Sequence, residues 1–165
     1  MGYRQKYYDL VEKLSKEIVN FYSDRLVSLV IFGSLASDTF RPDSDIDILI
    51  VAKDLPKGRV KRVEEFIKNI EVKFEEDIMR LLKQGIYITL SPVFKTPEEV
   101  QIGSPLFLDM TENVKILFDR NDFFKKYLET LKEKLKSLGA RKVYSKGGYY
   151  WELKPDYKFG DTIEL

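Results

Sequence analysis

The chain has 165 residues, about one domain's worth, and its 44% hydrophobic and 13% aromatic content excludes a disordered tail or a collagen-like repeat. Lys and Arg number 28 against 27 Asp and Glu, a net charge of +1, so no global basic field argues for coating nucleic acid or a membrane surface. Neither Cys nor His occurs, which removes disulfides, thiol nucleophiles, imidazole catalysis and Cys-type zinc sites, and leaves carboxylates, Lys, Arg, Tyr and hydroxyls to carry any chemistry.

Tyr7, Leu10, Leu14, Ile18 and Phe21 recur at helical spacing, which predicts an amphipathic helix over residues 3 to 23. Leu26 to Phe32 follows as a buried strand. Gly33 and Ser34 open a strand-to-helix turn, and DSDIDILIV reads as a second strand. Ile46, Ile48 and Ile50 share one face of that strand, and Asp45, Asp47, Leu49 and Val51 share the other. After the LPKGR loop, Val60, Val63, Ile67, Ile70, Phe74 and Ile78 predict one long charged helix to about Lys83, ended by Gly85.

Ile86 to Phe94 reads as a third strand, with Pro92 marking an edge or a bulge. TPEE is a helix start: Thr96 can cap, Pro97 suits the first helical position, and Glu98 and Glu99 favour the positive helix end. SPLFLDM repeats the signature for a second short helix. Val114 to Phe118 reads as a fourth strand, and Phe124, Leu128, Leu131, Leu135 and Leu138 mark a last long helix before Gly139. Lys142 to Leu153 then resembles a small hairpin turned by SKGG.

Residues 32 to 51, FGSLASDTFRPDSDIDILIV, carry the chemistry. At the turn, free amides and the helix dipole can bind a phosphate, and Gly33 permits its close approach. Asp45 and Asp47, two apart on a strand, place both carboxylates on one face with Cα atoms ~6.6 Å apart. Such a pair can share divalent ions of the kind used in phosphoryl transfer, and carboxylate oxygens suit magnesium or manganese. An unpaired Asp47 inside a buried strand is costly, and a metal would offset that cost.

Gly33, Ser34, then Ser44, Asp45, Ile46 and Asp47 resemble the pattern of the minimal nucleotidyltransferases of the DNA polymerase beta superfamily, over roughly residues 26 to 118. The resemblance implies an α+β (α/β) fold, a mixed sheet flanked by helices. It implies Mg2+ or Mn2+ on Asp45 and Asp47 as catalytic carboxylates. It also implies transfer of a nucleoside monophosphate from a nucleoside triphosphate, ATP foremost, to a protein or nucleic-acid hydroxyl. Gly33, Ser34 and Ser44 are the implied nucleotide-binding residues. Small members of the family pair with a helical HEPN partner in toxin-antitoxin systems; a HEPN-type partner and a homo-oligomer are both open.

Two departures stand out. Ser37 and Asp38 occupy positions where the family often has Arg and Gly, which leaves Arg41 as the candidate cationic phosphate contact, against a plain solvated loop arginine. A third carboxylate is expected just ahead of the TPEE helix, and the residues there are Thr89 and Ser91. Asp109 and Glu98 are the nearest later acids, and both read as ordinary helix residues. The alternative reading is therefore a degenerate transferase fold that binds a nucleotide or a protein partner without turnover.

Residues 1 to 120 are expected to form the core, with residues 121 to 165 an extension packed on it. In that extension Lys142 and its neighbouring cations lie next to Tyr144, Tyr149, Tyr150 and Trp151, a mixture that can track phosphates and stack bases, or simply pack on the parent domain. No export signal or bilayer-length apolar run is legible, so the expectation is a cytoplasmic protein with no membrane partner. The Lys- and Glu-rich composition without Cys suits a thermophilic source.

Overall fold

The computed structural model describes residues 2–165. Helix α1 (Tyr3–Tyr22) leads into strands β1 (Leu26–Phe32) and β2 (Ile46–Ala52), joined through a short 3-10 turn at Gly33–Leu35. Helices α2 (Arg59–Asn69) and α3 (Glu75–Lys83) precede strand β3 (Leu90–Lys95), then come α4 (Pro97–Ile102), α5 (Leu106–Met110) and β4 (Lys115–Asp119). Helix α6 (Phe123–Leu138) and a separate hairpin, β5 (Arg141–Ser145) with β6 (Gly148–Glu152), complete the chain.

The sheet order is β3-β2-β1-β4, with β2 parallel to β3 and the other pairs antiparallel. This is the expected mixed sheet flanked by helices. Its two faces divide the apolar residues as alternation requires. Ile46, Ile48 and Ile50 join α1, Phe66 and Ile70 in one core cluster. Leu49 and Val51 join Val30, Phe107, Phe124 and Leu128 in the other. Ser28, fully buried between them, donates to Asp119 Oδ1 at 2.7 Å, and the same carboxylate accepts the backbone N–H groups of Phe124 and Lys125 at the start of α6.

Three expectations need correction. The long helix from Val60 to Lys83 is broken at Ile70, whose φ of −125° and ψ of −64° leave the helical region, and a 3-10 turn over Glu71–Phe74 joins α2 to α3. A straight helix of that length would run ~36 Å, past strands of about 23 Å, and the break returns Phe74 to the core at 4% exposure. The third strand begins at Leu90 rather than Ile86, because Leu90 pairs with Ile46 and β2 offers no earlier partner. Before it, the Tyr87 N–H donates to the Pro42 carbonyl at 2.7 Å while Ile86 and Ile88 bury their side chains. Asp45 stands one residue ahead of β2, so only Asp47 of the two carboxylates is on a strand. Pro92 lies on β3, an edge strand, where its missing N–H costs no ladder bond.

Thr96 caps α4 as expected. Its hydroxyl accepts from the Glu99 N–H, and the Glu99 carboxylate accepts from the Thr96 N–H, a complete capping box.

Candidate active site

The site forms where β1 ends and β2 begins. Phe32 pairs with Asp47 across the antiparallel ladder, so the turn that leaves β1 at Gly33 sits directly beside the Asp47 carboxylate. Gly33 has φ +69°, and a Cβ built on it would overlap Asp47 Oδ2. Glycine is required twice over, for the backbone conformation and for the space. The 14-residue path from Gly33 to Ile46 is held from outside by α1. Tyr7 donates its hydroxyl to the Ser44 carbonyl at 2.7 Å, and Phe40 is buried among the rings of Tyr3, Tyr7 and Tyr8.

Asp45 is exposed and Asp47 half-buried, and neither carboxylate has a hydrogen-bond or ion-pair partner among the described residues. Burial, with the charge of Asp45 as a second cause, raises the Asp47 pKa above the ordinary carboxylate value. The side-chain hydroxyl of Ser34 is also without a hydrogen bond among the described residues. A crowded, unpaired carboxylate pair beside a free hydroxyl is what a divalent cation with a phosphate ligand would relieve. No group of three or more acidic side chains that could hold a metal ion converges among the described residues. Two carboxylates would suit a divalent cation that takes its remaining ligands from phosphate oxygens and water.

At the position where the sequence pattern sought a third carboxylate the structure has Ser91. Ser91 is the register partner of Asp47 on the parallel strand β3, so the neighbouring side chain on that face is a hydroxyl. Glu98 lies on α4, and Asp109 on α5 is turned to the hairpin, where its oxygens accept from Tyr149 Oη at 2.8 Å and Trp151 Nε1 at 3.0 Å.

Of the remaining candidates, Ser44 Oγ accepts the Arg41 N–H at 2.8 Å and closes the loop ahead of Asp45. Arg41 is an exposed side chain paired with Asp43 at 3.3 Å. The cations that do approach the turn were not singled out by the motif. Arg4 and Lys115 both contact Asp38, at 3.5 and 3.4 Å, and Asp38 also accepts from the Tyr8 hydroxyl at 3.0 Å. The Tyr8 hydrogen bond, then the charge of Lys115, hold Asp38 below the usual carboxylate range. Only the tertiary fold brings residues 4, 38 and 115 together, so spacing carried no signal for them.

A larger cleft, of about 490 Å³, lies between α6 and the far end of the sheet, lined by Lys53, Arg120, Lys126 and Lys134. Val27 and Lys53 place it at the opposite end of β1 and β2 from Phe32 and Asp47.

The nucleotidyltransferase domain family model matches residues 11–102. The chain is 31% identical over 132 residues to "Putative protein adenylyltransferase MJ1305" of Methanocaldococcus jannaschii, covering 79% of this chain and 84% of that protein. Over 54 residues it is 30% identical to "Putative protein adenylyltransferase MJ0141" of the same organism, covering 33% of this chain and 54% of that protein. Among solved structures it is similar to a crystal structure of a toxin-antitoxin with AMP-PNP, at 16% identity, 78% of this chain, 92% of that chain and a TM-score of 0.44, a likeness too distant to bear on function. The match over residues 11–102, more than half of the chain and including the whole turn and both carboxylates, makes this protein a member of the nucleotidyltransferase domain family.

Proposed function

We propose that this protein is an adenylyltransferase that moves AMP from ATP to a hydroxyl of a protein acceptor, with Asp45 and Asp47 holding magnesium or manganese. The observation that carries the reading is the close approach of Asp47 to Gly33, which sets the backbone of the turn directly against two unpaired carboxylates. The relative named as a protein adenylyltransferase, aligned over most of both chains, supports ATP as donor and protein as acceptor.

Asp45 and Asp47 would hold a divalent cation, which would supply neutralisation of phosphate charge. Gly33 lets the phosphates approach the backbone while the Ser34 hydroxyl donates to them. The acceptor oxygen bonds to the α-phosphorus, the bond from that phosphorus to the β-phosphate bridging oxygen breaks, and pyrophosphate leaves. With Ser91 beside Asp47 in place of a carboxylate, the hydroxyl proton goes to solvent. Rate enhancement then rests on positioning and charge stabilisation.

A second reading rests on Ser91 alone: the fold keeps a nucleotide, and a partner such as a HEPN-type protein, without turnover. Incubation with α-labelled ATP, magnesium and host extract separates the two. Protease-sensitive, nuclease-resistant label that is absent with Asp47→Asn and absent with γ-labelled ATP supports protein adenylylation. Nuclease-sensitive label moves the acceptor to nucleic acid, and ATP binding without any label favours the second reading.

A further inference from the structure

A second cavity opens directly off the carboxylate site. It measures about 380 Å³, and Gly33 lies on its wall, so the residue that touches Asp47 also lines this cleft. Phe32 and Met110 supply apolar surface, Asn113 an exposed amide, and Lys142 and Tyr149 close it from the hairpin. Asn113 makes no side-chain hydrogen bond among the described residues.

The hairpin wall is held in place. Asp109 accepts from both Tyr149 and Trp151, and Lys142 pairs with Glu112 at 3.2 Å. Lys142 Nζ also lies 3.9 Å from the centroid of the Tyr149 ring, and Trp151 packs on the core cluster beneath α5 and α6. Asp109 thus anchors a ring that would otherwise be a loose surface side chain. Ring, amide, apolar floor and one cation are the chemistry that recognises an aromatic heterocycle attached to a phosphate. The size suits a nucleoside, and the position continues from the turn at which the phosphates lie in the proposed function.

The geometry points to this cleft as the nucleoside subsite, with Tyr149 the aromatic wall against the base and Asn113 the amide that reads its edge. The assignment rests on the nucleotide reading above. Asp109, Asn113, Lys142 and Tyr149 all lie beyond residues 11–102, so base recognition is supplied by the part of this chain outside the family match. Asp109 is a positioning residue that acts through Tyr149.

The test compares ATP with inorganic tripolyphosphate, each titrated with magnesium into the full chain by calorimetry, with fluorescence of Trp151, the one tryptophan, as a second readout. Tyr149→Ala weakens ATP about tenfold, as expected for a lost base–aromatic contact, and leaves tripolyphosphate unchanged. Tyr149→Phe, which keeps the ring but frees it from Asp109, weakens ATP by an intermediate amount, about threefold, and leaves tripolyphosphate unchanged. Tyr150→Ala, an exposed ring of the same hairpin that does not line the cleft, changes neither ligand. Asn113→Ala narrows the preference among the four nucleoside triphosphates, and an unchanged preference removes Asn113 from the subsite. ATP affinity that survives Tyr149→Ala, or equal loss of ATP and tripolyphosphate, overturns the assignment while leaving the transferase reading intact. A wild type that binds neither ligand overturns that reading and the subsite together.

Discussion

Gly33 and Asp47 occupy one space: the side chain that Gly33 lacks is where Asp47 Oδ2 sits. The turn and the carboxylate therefore cannot be altered independently. Gly33→Ala forces a left-handed φ on a residue with a Cβ and drives that Cβ into Asp47. The expected cost is about 1–3 kcal/mol in chemical denaturation. Nucleotide transfer should fall far more than stability does, because the displaced group is the carboxylate itself. A variant of wild-type activity would show that Asp47 does not need its present position.

Asp47 also couples stability to pH. Its folded-state pKa is raised, chiefly by burial and then by Asp45, so the fold prefers the protonated carboxyl. Stability from this group is complete below the unfolded pKa and is lost as pH rises through the raised folded value. At neutral pH the charged form is a net burden. Asp47→Asn should therefore raise the midpoint of thermal unfolding of the metal-free protein at pH 7 and leave it unchanged near pH 3. Magnesium with ATP should stabilise the wild type and not the variant. Calorimetric scans at both pH values, with and without Mg·ATP, check the pair of signs.

Ser91 stands beside Asp47 in the parallel register. Strands lie ~4.8 Å apart, within reach of a shared cation. Ser91→Asp should tighten magnesium and speed transfer, and should lower metal-free stability because a third negative charge joins Asp45 and Asp47. Ser91→Ala should leave the rate near that of the wild type. A rate lost with Ser91→Ala would instead assign the hydroxyl itself a part in the reaction.

Tyr22 is fully buried, and its hydroxyl has no hydrogen-bond partner among the described residues. Burial pushes the phenol pKa up, so the neutral form is locked in. The Arg25 guanidinium, 5.1 Å from the ring centroid, needs only the ring. Tyr22→Phe should then stabilise the protein by about 1 kcal/mol, since an orphaned buried hydroxyl costs roughly that much. Urea denaturation gives the value, and a loss of stability would reveal a hidden partner.

Alternation along DIDILIV assigned Ile46, Ile48 and Ile50 to one layer and Leu49 and Val51 to the other, and the two core clusters divide them in that way. Thr96, Pro97 and Glu99 wrote the start of α4 in local chemistry alone. The break at Ile70 was not legible, because Val63, Ile67, Ile70 and Phe74 keep helical spacing through it; in the structure α2 turns Phe66 rather than Ile67 to the core. Asp109 read as a surface helix acid, since the ring donors of Tyr149 and Trp151 lie 40 and 42 residues further on.

The sequence by itself bounded the chemistry open to this protein. Without Cys or His, it left carboxylates, hydroxyls, Lys, Arg and Tyr, and it set a Gly-Ser turn ahead of two aspartates spaced two apart, the second on an apolar strand. These are properties of residue type and short spacing, which act within one strand and one turn. Tertiary structure alone decided that Ser91 pairs with Asp47 across the parallel strands, that Asp38 draws Arg4 and Lys115 to the turn, and that the hairpin walls the cleft beside Gly33. Those relations join segments tens of residues apart, and their geometry exists only once sheet pairing and core burial have brought the segments together.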